Sequence, residues 1–206
     1  MKLYDNVQAP NPRRVRVFLA EKQIDIERVP VDMMKGEHKT PEFLRKNANG
    51  QIPVLELDDG TCISESVSIC RYLEALHPEP PLFGTTPEEI GLIDMHHRRL
   101  ELGLGHSIST SWVNGPVVAR MAAGRFKQIP QAKEQSDARV NAYYQRLDGE
   151  LAERAMMAGE RYSVADITAM CLIDFAEKLV GLPPDPALLN LARWRAEVGG
   201  RPSASA

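Results

Sequence analysis

The stretch Asn49–Ser66, NGQIPVLELDDGTCISES, decides the fold. Asp59-Gly60 is a two-residue turn signal between two short runs, Val54–Leu57 and Thr61–Ser64, so the stretch reads as a β-hairpin. Two of its features exceed what a hairpin needs. Pro53 stands at the mouth of the first strand, although a residue without an N–H is normally kept out of a sheet interior. Glu65-Ser66 ends the second strand where an amphipathic helix begins, ESVSICRYLEALH, with Ile69, Leu73 and Leu76 at helical spacing. Both features hold backbone and side-chain groups out for something else to bind.

Upstream, KLYD reads as a strand. PNPRRVRVFLAEKQ reads as a helix with Val15, Phe18 and Leu19 on one face and prolines at its mouth. IDIERVPVD alternates as a second strand, and a βαβ unit of this length implies a parallel pair with a right-handed crossover. TPEFLRKN is a short helix with Thr40 as N-cap and Pro41 at its first position. The order β-α-β-α-β-β-α makes a small α/β domain over residues 1–77. The proline-rich HPEPPLFGTTPEE, residues 77–89, then reads as a linker, with its bounds set at 78–86.

Residues 87–206 show no convincing strand and read as an all-helical domain. The spacing predicts helix over 87–112, with Gly103 and Gly105 as weak points, and over 128–157, where Val140, Tyr144, Leu147 and Leu151 form one stripe. SVADITAMCLIDFAEKL and DPALLNLARWRAEV are two more helices. Ser163 caps the first of these while Asp166 reaches back to the Ser163 amide, with Tyr162 and Ile167 at the staple positions, a pattern read as serving folding. GGRPSASA reads as a frayed tail.

Hydrophobic residues make up 43% of the 206, enough for a packed core. A net charge of −3 argues against a general nucleic-acid binder, and the Arg13, Arg14, Arg16 cluster reads as solvated helix surface. Cys62, Cys70 and Cys171 are scattered and form no CxxC, so neither a disulfide framework nor a metal site is expected. That usage fits a reducing, cytoplasmic setting. MKLYDNVQAP lacks the apolar stretch of a signal peptide, and no apolar run approaches a membrane span.

An α/β domain carrying QIPVLELDDGTCISES, a proline-rich linker and a helical domain containing SVADITA together resemble the cytosolic glutathione transferases, over almost the whole chain. The resemblance implies a thioredoxin-like N-terminal domain and a cytoplasmic homodimer with a part in detoxification. It implies glutathione as co-substrate, with no tightly bound cofactor, and a small electrophilic or disulfide second substrate. It also implies a cis Ile52-Pro53 bond. That bond would turn the Ile52 N–H and C=O outward to pair with the cysteinyl part of glutathione like an added strand. A plain trans proline starting a strand is the other reading, since cis occurs at about 5–6% of such bonds.

Glu65-Ser66 has a matching logic. A helix N-terminus favours a carboxylate, Ser66 adds a hydroxyl, and Glu65 offers a charge to an ammonium, which are the needs of a γ-glutamyl end. The other reading is a helix simply capped by Ser64 or Ser66. His38 and Gln51 fall where related enzymes meet the glycyl carboxylate, against a solvated surface role for a lone histidine.

Relatives stabilise the glutathione thiolate with a Tyr or Ser hydroxyl after the first strand. Here Ala9 takes the position where many have Ser or Thr, and alanine donates nothing. Tyr4 lies too early and reads as a packed aromatic. Asn11 stands two residues on; the APN run resembles the TPN of a bacterial subgroup, the nu-class, associated with glutathione-dependent disulfide reduction. Asn11 reads as a donor to the sulfur, as the helix N-cap, or as both.

Magnitudes allow the first role. Lowering a thiol pKa of about 8.5 by two units needs roughly 2.7 kcal/mol, and one hydrogen bond to a charged group supplies about 1.5–3 kcal/mol. The chain's own cysteines read as buried structural thiols. Ala9, Met95, His96, Arg99, Leu100, His106 and Trp112 are candidates for an acceptor cavity. Adjacent His96 and His97 point apart on a helix and make no metal pair. A non-catalytic glutathione-binding or stress-regulatory protein is the competing class, and an isomerase or dehalogenase on the same scaffold a third.

Overall fold

The computed structural model describes residues 1–122 and 127–206. Strand β1 (Lys2–Asp5) pairs in parallel with β2 (Glu27–Pro30) through helix α1 (Pro10–Lys22). After α2 (Pro41–Lys46), strand β3 (Val54–Glu56) runs antiparallel to β1 and turns into β4 (Cys62–Ser64). The sheet order is β2-β1-β3-β4, a mixed four-stranded sheet of the thioredoxin-like kind, followed by α3 (Ser66–Leu76).

Local chemistry sets these boundaries. Thr40 accepts from the Phe43 N–H at 3.3 Å to start α2, as its position predicts. The hairpin closes with Leu57 N–H on Thr61 O at 2.8 Å, so its loop is the three residues Asp58, Asp59 and Gly60 rather than a two-residue turn, and Gly60 sits at φ +85°, a conformation only glycine adopts without strain. Leu3, Val54 and Leu55 of the sheet, Val15 and Phe18 of α1, and Ile69 and Leu73 of α3 are fully buried and form the core.

The arginine cluster is not solvated surface. Arg14 and Arg16 are buried, and Arg16 pairs with the buried Asp5 at 2.6 Å while donating to Val7 O at 3.1 Å. A buried cation needs a partner, and the chain supplies one from β1. The tail is not frayed either. Pro202–Ser205 form a 3₁₀ turn, Ser203 is buried on Glu21, and Arg13 donates to Ala204 O at 2.9 Å.

Contacts divide the chain into two units, Met1–Phe83 with Pro202–Ala206, and Gly84–Arg201. The start of the proline-rich segment is tied to the first unit. The Lys22 ammonium donates to His77 O (2.7 Å), Pro78 O (3.2 Å) and Pro80 O (2.6 Å) and pairs with Glu74 at 2.5 Å. Leu82 and Phe83 are buried.

The second unit is helical. It holds α4 (Pro87–Arg99), α5 (His106–Val113), α6 (Pro116–Ala122), α7 (Pro130–Ala152), α8 (Val164–Phe175) and α9 (Leu189–Gly199). The stretch expected to weaken at its glycines stays helical but widens into π turns at Leu100–Gly105. Gly103 is there for space: a β-carbon would overlap the Tyr143 ring. The Val140, Tyr144, Leu147, Leu151 stripe is buried. Ser163 and Asp166 form the expected capping box, and Thr86 with Glu89 forms a second one at α4 that the sequence reading missed. Among the described residues no helix is long and apolar enough to cross a membrane.

Candidate functional site

One end of the small sheet gathers most of the residues singled out in the first unit. Val54 pairs with Tyr4 on one side and Ser64 on the other. Ile52-Pro53 and Glu65-Ser66 therefore flank the same end of the hairpin, beside the loop that leads from β1 into α1. Ala9 and Tyr4 pack against the cluster of Val31, Phe43, Ile52 and Val54, which brings the mouth of α1 to Ile52. The loop before β3 is held in place by Asn47 Nδ2 on Gln51 O (2.8 Å) and by Lys39 Nζ on Asn49 O (3.1 Å) and Gly50 O (3.0 Å). Gly50 has φ +56°, and a β-carbon there would lie 2.7 Å from His38 O, so His38 and Gln51 share this rim.

Three sets of groups at this end lack protein partners among the described residues. The Ile52-Pro53 peptide is cis, and the Ile52 N–H and C=O make no hydrogen bond. At α3 the N-cap is Glu65, not a serine, and its side chain caps nothing. The first helical bond runs from Ile69 N–H to Glu65 O at 2.9 Å, so the N–H groups of Ser66, Val67 and Ser68 are unmatched. Glu65 is exposed and holds φ +68°, a backbone state that costs a non-glycine residue on the order of 1–3 kcal/mol and gathers at functional sites. The Ser66 hydroxyl accepts from Arg14 Nη1 at 2.6 Å.

The third set lies at α1. Ala9 is the N-cap and makes no capping bond, so Asn11 is not the cap but the second helical residue. Pro10 and Pro12 have no N–H, and the Arg13 N–H is spent on Ala9 O at 3.2 Å. The first turn thus offers one free backbone N–H, that of Asn11. The Asn11 side-chain amide is exposed and without a partner among the described residues. Backbone and side chain of Asn11 thus both offer donors there.

Other groups are excluded by their partners. The Tyr4 hydroxyl donates to Glu56 at 2.6 Å, Lys46 pairs with the same carboxylate at 2.7 Å, and burial with that acceptor pushes the phenol pKa up. Tyr4 is the packed aromatic expected, edge-on to Phe43. Cys70 and Cys171 are buried; Cys62 is half-buried and its thiol is pushed up by burial, so none is an activated nucleophile. Burial and the neighbouring Lys39 push the His38 pKa down.

In the helical unit Arg99, His96 and Leu100 line a small open cleft, with Tyr143, Arg146 and Arg154 opposite. Met95, His106 and Trp112 are not in its lining; Trp112 stacks edge-on to Phe175 at 5.2 Å. His96 faces this cleft while His97 is fully buried. Among the described residues no cluster of His, Cys, Asp or Glu is placed to hold a metal ion.

The same architecture recurs in known proteins. The glutathione S-transferase N-terminal domain matches residues 1–75 and the C-terminal domain residues 115–202. Glutathione S-transferase 2 of Saccharomyces cerevisiae is 39% identical over 209 residues, covering 98% of this chain and 87% of that protein. The crystal structure of Gtt2 from Saccharomyces cerevisiae superposes with a TM-score of 0.92 at 36% identity, covering 100% of this chain and 99% of that one. A glutathione S-transferase domain-containing protein from Marinobacter aquaeolei VT8 gives 0.89 at 38% identity, covering 98% and 99%. With both domains matched in order, and relatives of this identity along its whole length, the chain belongs to the glutathione S-transferase family.

Proposed function

We propose that this chain is a glutathione-dependent transferase that activates the thiol of glutathione with the two donors of Asn11 in place of a hydroxyl. The observation that carries the reading is the convergence, at one sheet end, of unmatched groups complementary to an extended γ-glutamyl peptide. Ile52 pairs with the cysteinyl backbone. The α3 N–H groups and Ser66 receive the γ-glutamyl carboxylate, and Glu65 receives its ammonium. Gln51 and His38 lie toward the glycyl end, and the sulfur faces Asn11. The thiol proton leaves to solvent. The thiolate then attacks an electrophilic carbon, expelling its leaving group, or a disulfide sulfur, expelling one thiolate, or a peroxide oxygen, breaking the O–O bond to leave an alcohol and glutathione sulfenic acid, which a second glutathione converts to the disulfide and water. With a disulfide it forms a mixed disulfide that a second glutathione releases. Metal chemistry and a tightly bound cofactor have no part in this scheme.

Ala9 favours a second reading, a glutathione-binding protein without turnover, because it fills the usual hydroxyl position with an apolar contact to the Ile52 cluster. Titration with glutathione followed by assay of a model electrophile beside a model disulfide separates the two. Binding without turnover of either selects the second.

Glu65→Ala is expected to weaken glutathione binding at least about tenfold, or 1.4 kcal/mol, because the exposed carboxylate is assigned to the substrate ammonium and caps nothing at α3. Unchanged affinity in a folded variant removes Glu65 from the site. The working division is residues 1–77 for glutathione, a linker at 78–86, and 87–206 for the second substrate, with Met95, Arg99 and Trp112 as its candidate residues there. A cytoplasmic homodimer active in detoxification completes the proposal. Sedimentation at micromolar concentration is expected to give twice the chain mass, and a monomer there contradicts the dimer.

A further inference from the structure

We propose that Arg14 is a positioning residue for the γ-glutamyl end of glutathione, its buried guanidinium fixing the Ser66 hydroxyl as a donor to the substrate carboxylate. The inference rests on the reading that the mouth of α3 receives that carboxylate. Arg14 and Ser66 come from different helices and are 3% and 5% exposed. Their Nη1–Oγ distance is 2.6 Å. A guanidinium has only donors, whereas a hydroxyl has one proton and two lone pairs. The bond therefore runs from Arg14 to Ser66 and in no other sense. It takes up a lone pair and leaves the Ser66 proton to be given elsewhere. Among the described residues that proton has no acceptor.

The consequence is a mouth that presents donors alone. The Ser66 hydroxyl joins the unmatched N–H groups of Ser66, Val67 and Ser68, and the Arg14 charge behind it strengthens its bond to an anion. A carboxylate fits this set, and a carboxamide, with donors of its own, does not. Arg14 also lies one turn beyond Asn11 on α1. One side chain thus ties the helix that faces the sulfur to the helix that holds the other end of the same substrate.

Calorimetric titration with glutathione of the wild type, Arg14→Met, Ser66→Ala and the double variant tests this, with melting curves alongside. Each single change is expected to weaken binding about tenfold, and the double to fall within about twofold of the weaker single, because Arg14 acts through Ser66. A full further tenfold loss in the double variant overturns the proposal and leaves Arg14 a structural residue. Wild-type affinity in Ser66→Ala sinks the carboxylate reading itself, a distinct failure. A glutathione analogue with a carboxamide in place of the γ-glutamyl α-carboxylate is expected to bind the wild type and Arg14→Met within about twofold of each other. A tenfold difference for that analogue again overturns the proposal. If Arg14→Met melts too low to titrate, Arg14→Lys goes through the same cycle with the same criteria.

Discussion

Asp166→Ala is expected to lower the melting temperature by roughly 10 to 20 °C. Asp166 is fully buried, and all four of its contacts are donors. Oδ1 accepts from Met157 N–H at 2.8 Å and Trp194 Nε1–H at 2.9 Å; Oδ2 accepts from Ser163 N–H at 2.9 Å and the Ser163 hydroxyl at 3.1 Å. Burial pushes its carboxyl pKa up, and the four donors pull against that. Removing the carboxylate orphans at least three buried donors and opens a cavity. Breaking such a network costs on the order of 3–5 kcal/mol, a large share of the roughly 5–15 kcal/mol that holds a domain folded. Asp166→Asn is the sharper probe. Its volume is unchanged, yet its amide would set N–H against the Ser163 N–H, so it too is expected to melt lower. Differential scanning calorimetry decides the matter: a melt within about 2 °C of wild type for both variants would mean the network contributes little.

Asn11→Ala is expected to raise the pKa of bound glutathione by about one to two units and to cut activity near neutral pH roughly tenfold to a hundredfold. The sign follows from which form is stabilised. A donor to the sulfur favours thiolate, so losing it raises the thiol pKa, and activity is recovered only as pH rises through the new value. The backbone N–H of Asn11 survives the substitution and keeps part of the stabilisation. Because Pro10 and Pro12 remove the neighbouring amides and Arg13 N–H is occupied, no other backbone donor of the first turn takes over. Helix capping does not confuse the result, since the N-cap is Ala9. Ultraviolet titration of the bound thiolate beside a melting curve is the measurement. An unchanged thiol pKa in a variant that still binds glutathione removes Asn11 from the chemistry.

Much of the fold was legible because its signals are local. The Asp59-Gly60 turn, the Thr40 cap and the Ser163–Asp166 box each depend on groups two to four residues apart, so the residues that make the contact are visible side by side in the sequence. The hairpin with its Ile-Pro and Glu-Ser ends pointed to the candidate site for the same reason. What tertiary structure alone decided lies in contacts between distant residues. Arg14 meets Ser66 across 52 positions, Ser203 meets Glu21 across 182, and Trp194 meets Asp166 across 28. Those partners turned presumed surface arginines into buried ones, a presumed loose tail into a docked turn, and a helix cap into the hub of a buried network. Asn11 is the narrowest case. PNP announces a helix start in sequence, but placing Ala9 rather than Asn11 at the cap is a shift of only two residues. Only the chain's path out of β1, with Ala9 drawn into the apolar cluster at Ile52, makes that choice and leaves Asn11 free to donate.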